Sequence, residues 1–600
     1  MTQTPPIPPP LSRLPLLELG FVNCPAIPYW VDPAGDPDTD HVTATLASLL
    51  KRGAEGMPAY DGLSTKYTID GQTHSAYEFL YGSPLAPGAT ALAPGTTALA
   101  LDKADEFTLP WTTYGDVYGD SQDLVKPLAM TLRDATAATK AFWPTIASFG
   151  LPYYLLVLEK VDHEQAGRFA SEFGNVWTTE KLGPAQKAGL LYAVDTSILA
   201  QLEPFTARDG TVRFTPGTIT LLRQDPQTKE LAPAAILLST TNDGLPRVYG
   251  RKDPAWLYAL QAAKTSITVW GIWLGHVYHL HIATAAMQMT MYNHLPVDHV
   301  LRPLLEPQSQ HLIDFDFVLL TTLFQKISPP TPVSGPLALV KLLDQFAANR
   351  TFLGDDPHAE LEARGLVKED FTKSKDWDRY PLAGWLIDVW KITHAYVKAV
   401  VDVIYKADAD VKNDKYLKAW MDASGDPSQG NLRGLPAVET RDDLTKVLTS
   451  LLYRVNAHGG GTLVPAVNPV LAFVATVPPC LQSAAIIEPG TPVDPTKDLL
   501  PLLPHTGTIG EMTTFFFTFV YSPPSEPLIP LGGIKAEPHF PPSQSACNPA
   551  LFKYRQDIHD FVDTFVEDWN EAVARIRGTP GSPPSYAGNQ YEQWSLSIEL

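Results

Sequence analysis

Apolar residues recur at three- and four-residue intervals in two long stretches. Phe552, Ile558, Phe561, Val562, Phe565, Val566 and Trp569 trace one stripe through residues 550–576. Trp385, Leu386, Val389, Trp390, Ile392, Val397, Val400 and Val401 trace another through 384–405. This spacing follows the 3.6-residue helical turn, so both stretches predict helices that bury one face in a core. Neither stripe carries chemistry by itself. A third stretch, residues 265–297, contains no Asp, Glu, Lys or Arg at all. Its length would suffice to span a bilayer, which takes about 20 apolar residues. His276, His279 and His281, together with Gln288, Asn293 and several Thr, argue against lipid, where unpaired polar groups are costly. The pattern predicts a buried central helix in a large helical protein.

Composition narrows the class. The 600 residues are 44% hydrophobic and 18% charged, a globular balance with ample apolar material for one dominant core. Sixty-five acidic side chains against 45 basic ones leave a net charge of −20, a surface that repels phosphate backbones and anionic lipid. Nucleic acid is therefore excluded as an expected partner, and membrane contact is at most peripheral. Cys24, Cys480 and Cys547 are too few and too far apart for a disulfide framework or a Cys-based metal site, and are expected to be reduced thiols. The first residues lack the basic region and unbroken apolar run of a secretory signal, which makes a cytoplasmic location the expectation. Proline, at 56 residues, clusters at 5–10, 478–504 and 523–542, marking long irregular connections.

Candidate chemistry concentrates in the charge-free stretch. Buried imidazoles need partners, and neutral His is a common ligand for iron and zinc, so a metal is one way to supply them. Backbone carbonyls and Thr hydroxyls are the other. No phosphate-cradling Gly-Lys-Ser/Thr loop, His-Glu-x-x-His pair or serine elbow occurs. The His-Gly-Gly-Gly run at 458–461 matches the oxyanion loop of lipases only formally, because no nucleophile elbow accompanies it.

The surroundings of the central stretch resemble the lipoxygenase signature. Trp256-Leu-Tyr-Ala259 is similar to the Trp-x-x-Ala before that family's iron-binding helix, and Met291-Tyr292, Leu295-Pro296, His299 and Leu304-Leu305 to the segment after it. Residues 191–205 and 214–239 resemble the preceding segment, including a strand pair ending in Leu-x-Pro-x-Ile-x-Leu. Residues 380–423 resemble the family's long helix and its acidic, Trp-containing turn, and 529–540 with 550–576 its Leu-Gly loop, His-Phe pair and penultimate helix. The fold implied is mainly α, a lipoxygenase-like helical catalytic domain with small β elements. We expect it over residues 125–600, preceded by a Pro- and Gly-rich region, 1–124, that wraps the core as an extended arm.

The resemblance also implies a metal site. In the family, two His with four residues between them, a third His, an Asn, His or Ser four residues after it, and the C-terminal carboxylate hold a non-haem iron. His276 and His281 have the first spacing, and Ala263-Lys264 upstream resembles the family's Ala-Lys. A gap-free alignment instead places His276 at the second ligand and Gly271 at the first. Residues 448–469 resemble the helix of the third ligand, with His458 as its imidazole, Thr462 at the fourth position and Asn468 within Ala-Val-Asn. Gly459–Gly461 would loosen that helix. The ending WSLSIEL resembles the family's C-terminus and offers the carboxylate of Leu600, unless Ile598 is the counterpart. His276, His281, His458 and Leu600 are thus the implied metal ligands, with His276 and His281 at the catalytic centre. The implied cofactor is non-haem iron, or manganese in its place.

Two functions compete. One is a lipoxygenase-type dioxygenase, in which hydrogen leaves the methylene between two cis double bonds of a polyunsaturated fatty acid and O₂ traps the pentadienyl radical. Its partners would be a hydrophobic small molecule and O₂. The other is a metal-free protein of the same fold that binds a hydrophobic small molecule or rearranges it without redox chemistry, using His276, His279 or His281. Gly271 and Gly459, where ligands are expected, motivate the second.

Overall fold

The computed structural model describes residues 66–69 and 72–75, most of 157–305 and 342–455, most of 480–502, and 555–578. In the N-terminal region, β1 (Lys66–Ile69) and β2 (Gln72–Ser75) pair as an antiparallel hairpin. The rest of the region expected to wrap the core lies outside the described residues.

A five-stranded antiparallel sheet comes next. It comprises β3 (Leu158–Lys160), β4 (Leu191–Asp195), β7 (Gly217–Gln224), β8 (Leu231–Ser239) and β9 (Arg247–Gly250), in that spatial order. The short strands β5 (Phe205–Thr206) and β6 (Val212–Arg213) form a separate pair. β7 and β8 are the strand pair that the sequence predicts. Their register slips between Leu221 and Leu222, where Pro233 of β8 stands opposite Leu222. Proline has no N–H to donate to a ladder, so a bulge there relieves the pairing.

Side chains alternate across this sheet. Ile219 and Leu221 join Phe169 and Phe173 of α1 (His163–Thr179) in a buried apolar cluster. Leu182 of the short α2 (Leu182–Lys187) completes it. Thr218, one residue out of phase, turns instead toward α3 (Trp256–Trp270). The sheet is therefore a wedge between one amphipathic helix and the central helix. α1 is closed by a capping box: Asp162 Oδ1 accepts from the Gln165 N–H at 2.8 Å, and Gln165 Oε1 accepts from the Asp162 N–H at 3.0 Å.

Among the described residues the other α-helices are α4 (Ala283–His294), α5 (Pro357–Ala363), α6 (Lys368–Phe371), α7 (Pro381–Ile404), α8 (Asp408–Asn413), α9 (Lys415–Gly425), α10 (Arg441–Leu452) and α11 (Arg555–Gly578). α7 packs against both α10 and α11, and α4 against α9. The two predicted stripes face each other: Trp385 and Trp569 meet edge to face at 5.2 Å, and Tyr396 meets Phe565 at 5.7 Å. Arg575 and Asp388 pair at the rim of that contact, 3.1 Å apart. No helix among the described residues is long and apolar enough to cross a membrane.

Candidate metal centre

The charge-free stretch enters the core as α3 and leaves it as α4. Just ahead of α3, Asp253 accepts the Ala255 N–H at 2.8 Å, and its carboxylate also takes the Gly490 N–H at 3.0 Å, tying Gly490 to the helix entrance. From Tyr258 to Trp270 every side chain of α3 is buried. A helix without a solvent face must settle its polar groups internally. Ser266 does so through Thr196, 2.7 Å away, whose hydroxyl also donates to the Thr218 carbonyl at 3.0 Å. Burial holds the Lys264 amine well below the usual lysine range.

Beyond Trp270 the helix widens. Gly271 and residues 273–275 form a π-helical turn, buried throughout, that runs directly into His276. The same happens on α10, which starts with a Thr440–Asp443 capping box and passes into a π-helical turn at residues 453–455, three positions ahead of His458. Extra residues in a helical turn re-aim the side chains that follow, and such turns cluster at functional sites. Within the second one, Arg454 is 1% exposed, donates to the Phe352 carbonyl at 2.6 Å and stacks over its ring. Sequence reasoning singled out neither Arg454 nor the burial of Lys264; a lone charge at the edge of an apolar helical run is the signal that could have found both.

α4 is held on its far side. Trp420 Nε1 donates to the Met287 carbonyl at 3.0 Å, and the hydroxyls of Thr290 and Ser424 lie 2.6 Å apart. Past its end, His299 reaches Asp414 at the start of α9.

The four candidate ligands, His276, His281, His458 and Leu600, lie outside the described residues, as do His279, Gly459, Thr462, Asn468 and Ile598. Gly271 is described: it is helical and buried, so if the gap-free alignment holds, that ligand position offers no side chain. Among the described residues, no group of three or more His, Cys, Asp or Glu could hold a metal ion. A metal would therefore depend on the ligands the sequence names. Three imidazoles and a carboxylate are a donor set that suits non-haem iron or manganese.

A mainly α chain with a small antiparallel sheet and a buried central helix defines a lipoxygenase-like fold. A calcium-dependent 11R-lipoxygenase superposes with a TM-score of 0.62 at 16% identity, covering 76% of this chain and 65% of that one. A fungal lipoxygenase from Fusarium graminearum gives 0.62 at 16% identity over 88% and 89% of the two chains. A lipoxygenase family profile matches residues 344–462, which include α7, α10 and His458. The rat polyunsaturated fatty acid lipoxygenase ALOX15B is 23% identical over 311 residues, 49% of this chain and 43% of its own. The mouse hydroperoxide isomerase ALOXE3 is 25% identical over 394 residues, 62% of this chain and 52% of its own. The chain is similar to lipoxygenases in fold and, over part of its length, in sequence. Its match spans under half the length of the rat relative.

Proposed function

We propose that the protein is a lipoxygenase-type dioxygenase acting on a polyunsaturated fatty acid or a similar apolar substrate, with O₂ as co-substrate. His276, His281, His458 and the Leu600 carboxylate would hold a non-haem iron or manganese. When bound, that metal supplies the one-electron chemistry that removes hydrogen from the substrate methylene. The chain's own contribution would be to bring together imidazoles carried by the segments that follow α3 and α10. What carries the reading is that α3 widens into a π-helical turn that ends one residue before His276, and α10 into one that ends three residues before His458. The apolar walls of the core suit a hydrocarbon substrate. We assign this role to the helical domain, residues 125–600, with 1–124 as its N-terminal appendage, and we place the protein in the cytoplasm.

A second reading is favoured by Gly271, which offers no ligand at a position where one alignment expects it. On that reading the chain rearranges a hydrophobic substrate without consuming O₂. The names of two relatives, hydroperoxide isomerases of human and mouse, make a lipid hydroperoxide the substrate to try.

Metal analysis of the purified full chain, paired with its His276→Ala variant, tests the first reading. One iron or manganese per chain, lost in the variant, is expected. Metal content that the substitution leaves unchanged sinks the ligand assignment. Oxygen uptake with linoleate then separates the dioxygenase from the isomerase.

A further inference from the structure

The stretch after α4 turns on one imidazole. The His299 N–H donates to the Pro296 carbonyl at 2.9 Å and closes a first turn. Its side chain opens the next, where Nδ1 accepts the Leu301 N–H at 3.2 Å and the Leu305 N–H donates to the Leu301 carbonyl at 3.1 Å. A side chain that accepts the N–H two residues further on acts as a helix N-cap does. Leu301 itself is fully buried, and with Val397 and Val400 of α7 and Leu448 of α10 it lines a small apolar gap. The capped turn thus carries the side chain by which this stretch packs between the two helices.

Both ring nitrogens are engaged in a way that only the neutral ring permits. Nε2 donates to Asp414 Oδ2 at the start of α9, 3.0 Å away, while Nδ1 keeps a lone pair for Leu301. A proton arriving on Nδ1 removes that lone pair and sets two N–H groups against each other. The Nε2 side loses nothing, because a charged donor holds a carboxylate more firmly than a neutral one. Protonation therefore takes the acceptor from the turn and leaves the ring anchored to α9.

Among the described residues, two further elements present titratable or charged groups to this ring. At the end of α7 the Tyr405 hydroxyl donates to the same Asp414 oxygen at 2.8 Å. On α9 the Tyr416 ring stands edge-on to the imidazole at 6.3 Å, with the Lys415 ammonium 4.7 Å from its centroid. Against its burial, hydrogen bonds from His299, the Leu417 backbone and Tyr405 hold the Asp414 carboxyl at about 2. Asp414 thus stays charged through the range where histidines ordinarily titrate, about 6.5.

We propose that His299 is a proton-sensitive cap: falling pH frees the Leu301 N–H and loosens the 299–305 stretch against α7 and α10, while the His299–Asp414 pair persists. The device needs neither metal nor turnover, so it stands or falls apart from the dioxygenase reading.

Hydrogen–deuterium exchange of the full chain tests it, read in peptides that contain Leu301 and corrected for the intrinsic pH dependence of amide exchange. Between about pH 8 and about pH 5.5, either side of the ordinary histidine range, the wild type is expected to lose protection there roughly fivefold, the equivalent of one hydrogen bond. Peptides from β7 and β8 are expected to keep theirs. His299→Asn, whose Oδ1 can take the Leu301 N–H and cannot be protonated, is expected to show no such loss. A wild type whose protection does not fall, a fall shared equally by β7 and β8, or the same fall in His299→Asn overturns the proposal. Should His299→Asn fail to fold, His299→Gln, uncharged at every pH, takes its place, and a wild-type-like fall in that variant is the overturning result.

Discussion

His299 Nε2 lies 3.0 Å from Asp414 Oδ2, joining the end of the central-helix stretch to the start of α9 across 115 residues of chain. His299 Nδ1 accepts the Leu301 N–H at 3.2 Å, so the ring proton sits on Nε2 and points at the carboxylate. The same carboxylate oxygen accepts the Tyr405 hydroxyl at 2.8 Å, where α7 ends. Asp414 Oδ1 caps α9 by accepting the N–H groups of Tyr416 and Leu417 at 3.1 and 3.0 Å. One carboxylate thus ties together the stretch after α4, the end of α7 and the start of α9.

This junction makes a pH prediction. Burial works to raise the Asp414 pKa, but hydrogen bonds from His299, the Leu417 backbone and Tyr405 outweigh it and hold it at about 2, below the ordinary 3.8. A carboxyl with a depressed folded pKa stabilises the fold fully above 3.8 and loses that contribution as pH falls through about 2. Asp414→Ala should cost roughly 2–3 kcal/mol at neutral pH, the sum of a lost cap and a lost charge-assisted bond, read by urea unfolding. The variant should also lose this component of the acid dependence; identical acid profiles for wild type and variant would contradict the assignment.

Gly217 at the head of β7 should tolerate no side chain. A Cβ there would lie 2.5 Å from the Ala200 backbone nitrogen and 2.7 Å from the Ser197 carbonyl oxygen. Backbone on both contacts cannot rotate away, so Gly217→Ala should destabilise by about 3 kcal/mol. A melting curve that matches the wild type would show that the 197–201 turn moves freely against the sheet.

Trp569 carries much of the contact between α7 and α11. It stacks on Phe565 at 5.8 Å and meets Trp385 edge to face at 5.2 Å, and all three are buried. Trp569→Ala removes both contacts and leaves a cavity, for an expected loss of about 3–5 kcal/mol in chemical denaturation. A loss below 1 kcal/mol would mean that α11 docks through other residues.

Lys264 offers a test in the opposite direction. Because burial lowers its pKa, the unfolded chain binds its proton more tightly than the folded one, and stability should rise with pH toward 10.5. Lys264→Met keeps the volume without the proton, so it should be tolerated and should flatten that rise. Severe destabilisation by Lys264→Met would show instead that the amine is charged in the core.

Much of the architecture was legible before folding was considered. The stripes of α7 and α11, the β7–β8 pair and the charge-free run that became α3 and α4 are local, periodic patterns, and the burial of each element follows from its own period. Spacing and resemblance point to His276, His281, His458 and Leu600 as the candidate ligands. Three-dimensional packing decided the rest. That Asp414 meets His299, that Arg454 lies over Phe352 102 residues away, and that Gly217 abuts Ala200 depend on how whole helices and strands dock. Hydrophobic periodicity tells which face of an element turns inward, but the polar groups paired there come from distant segments whose meeting is set by the sum of all the packing contacts, and no single segment records it.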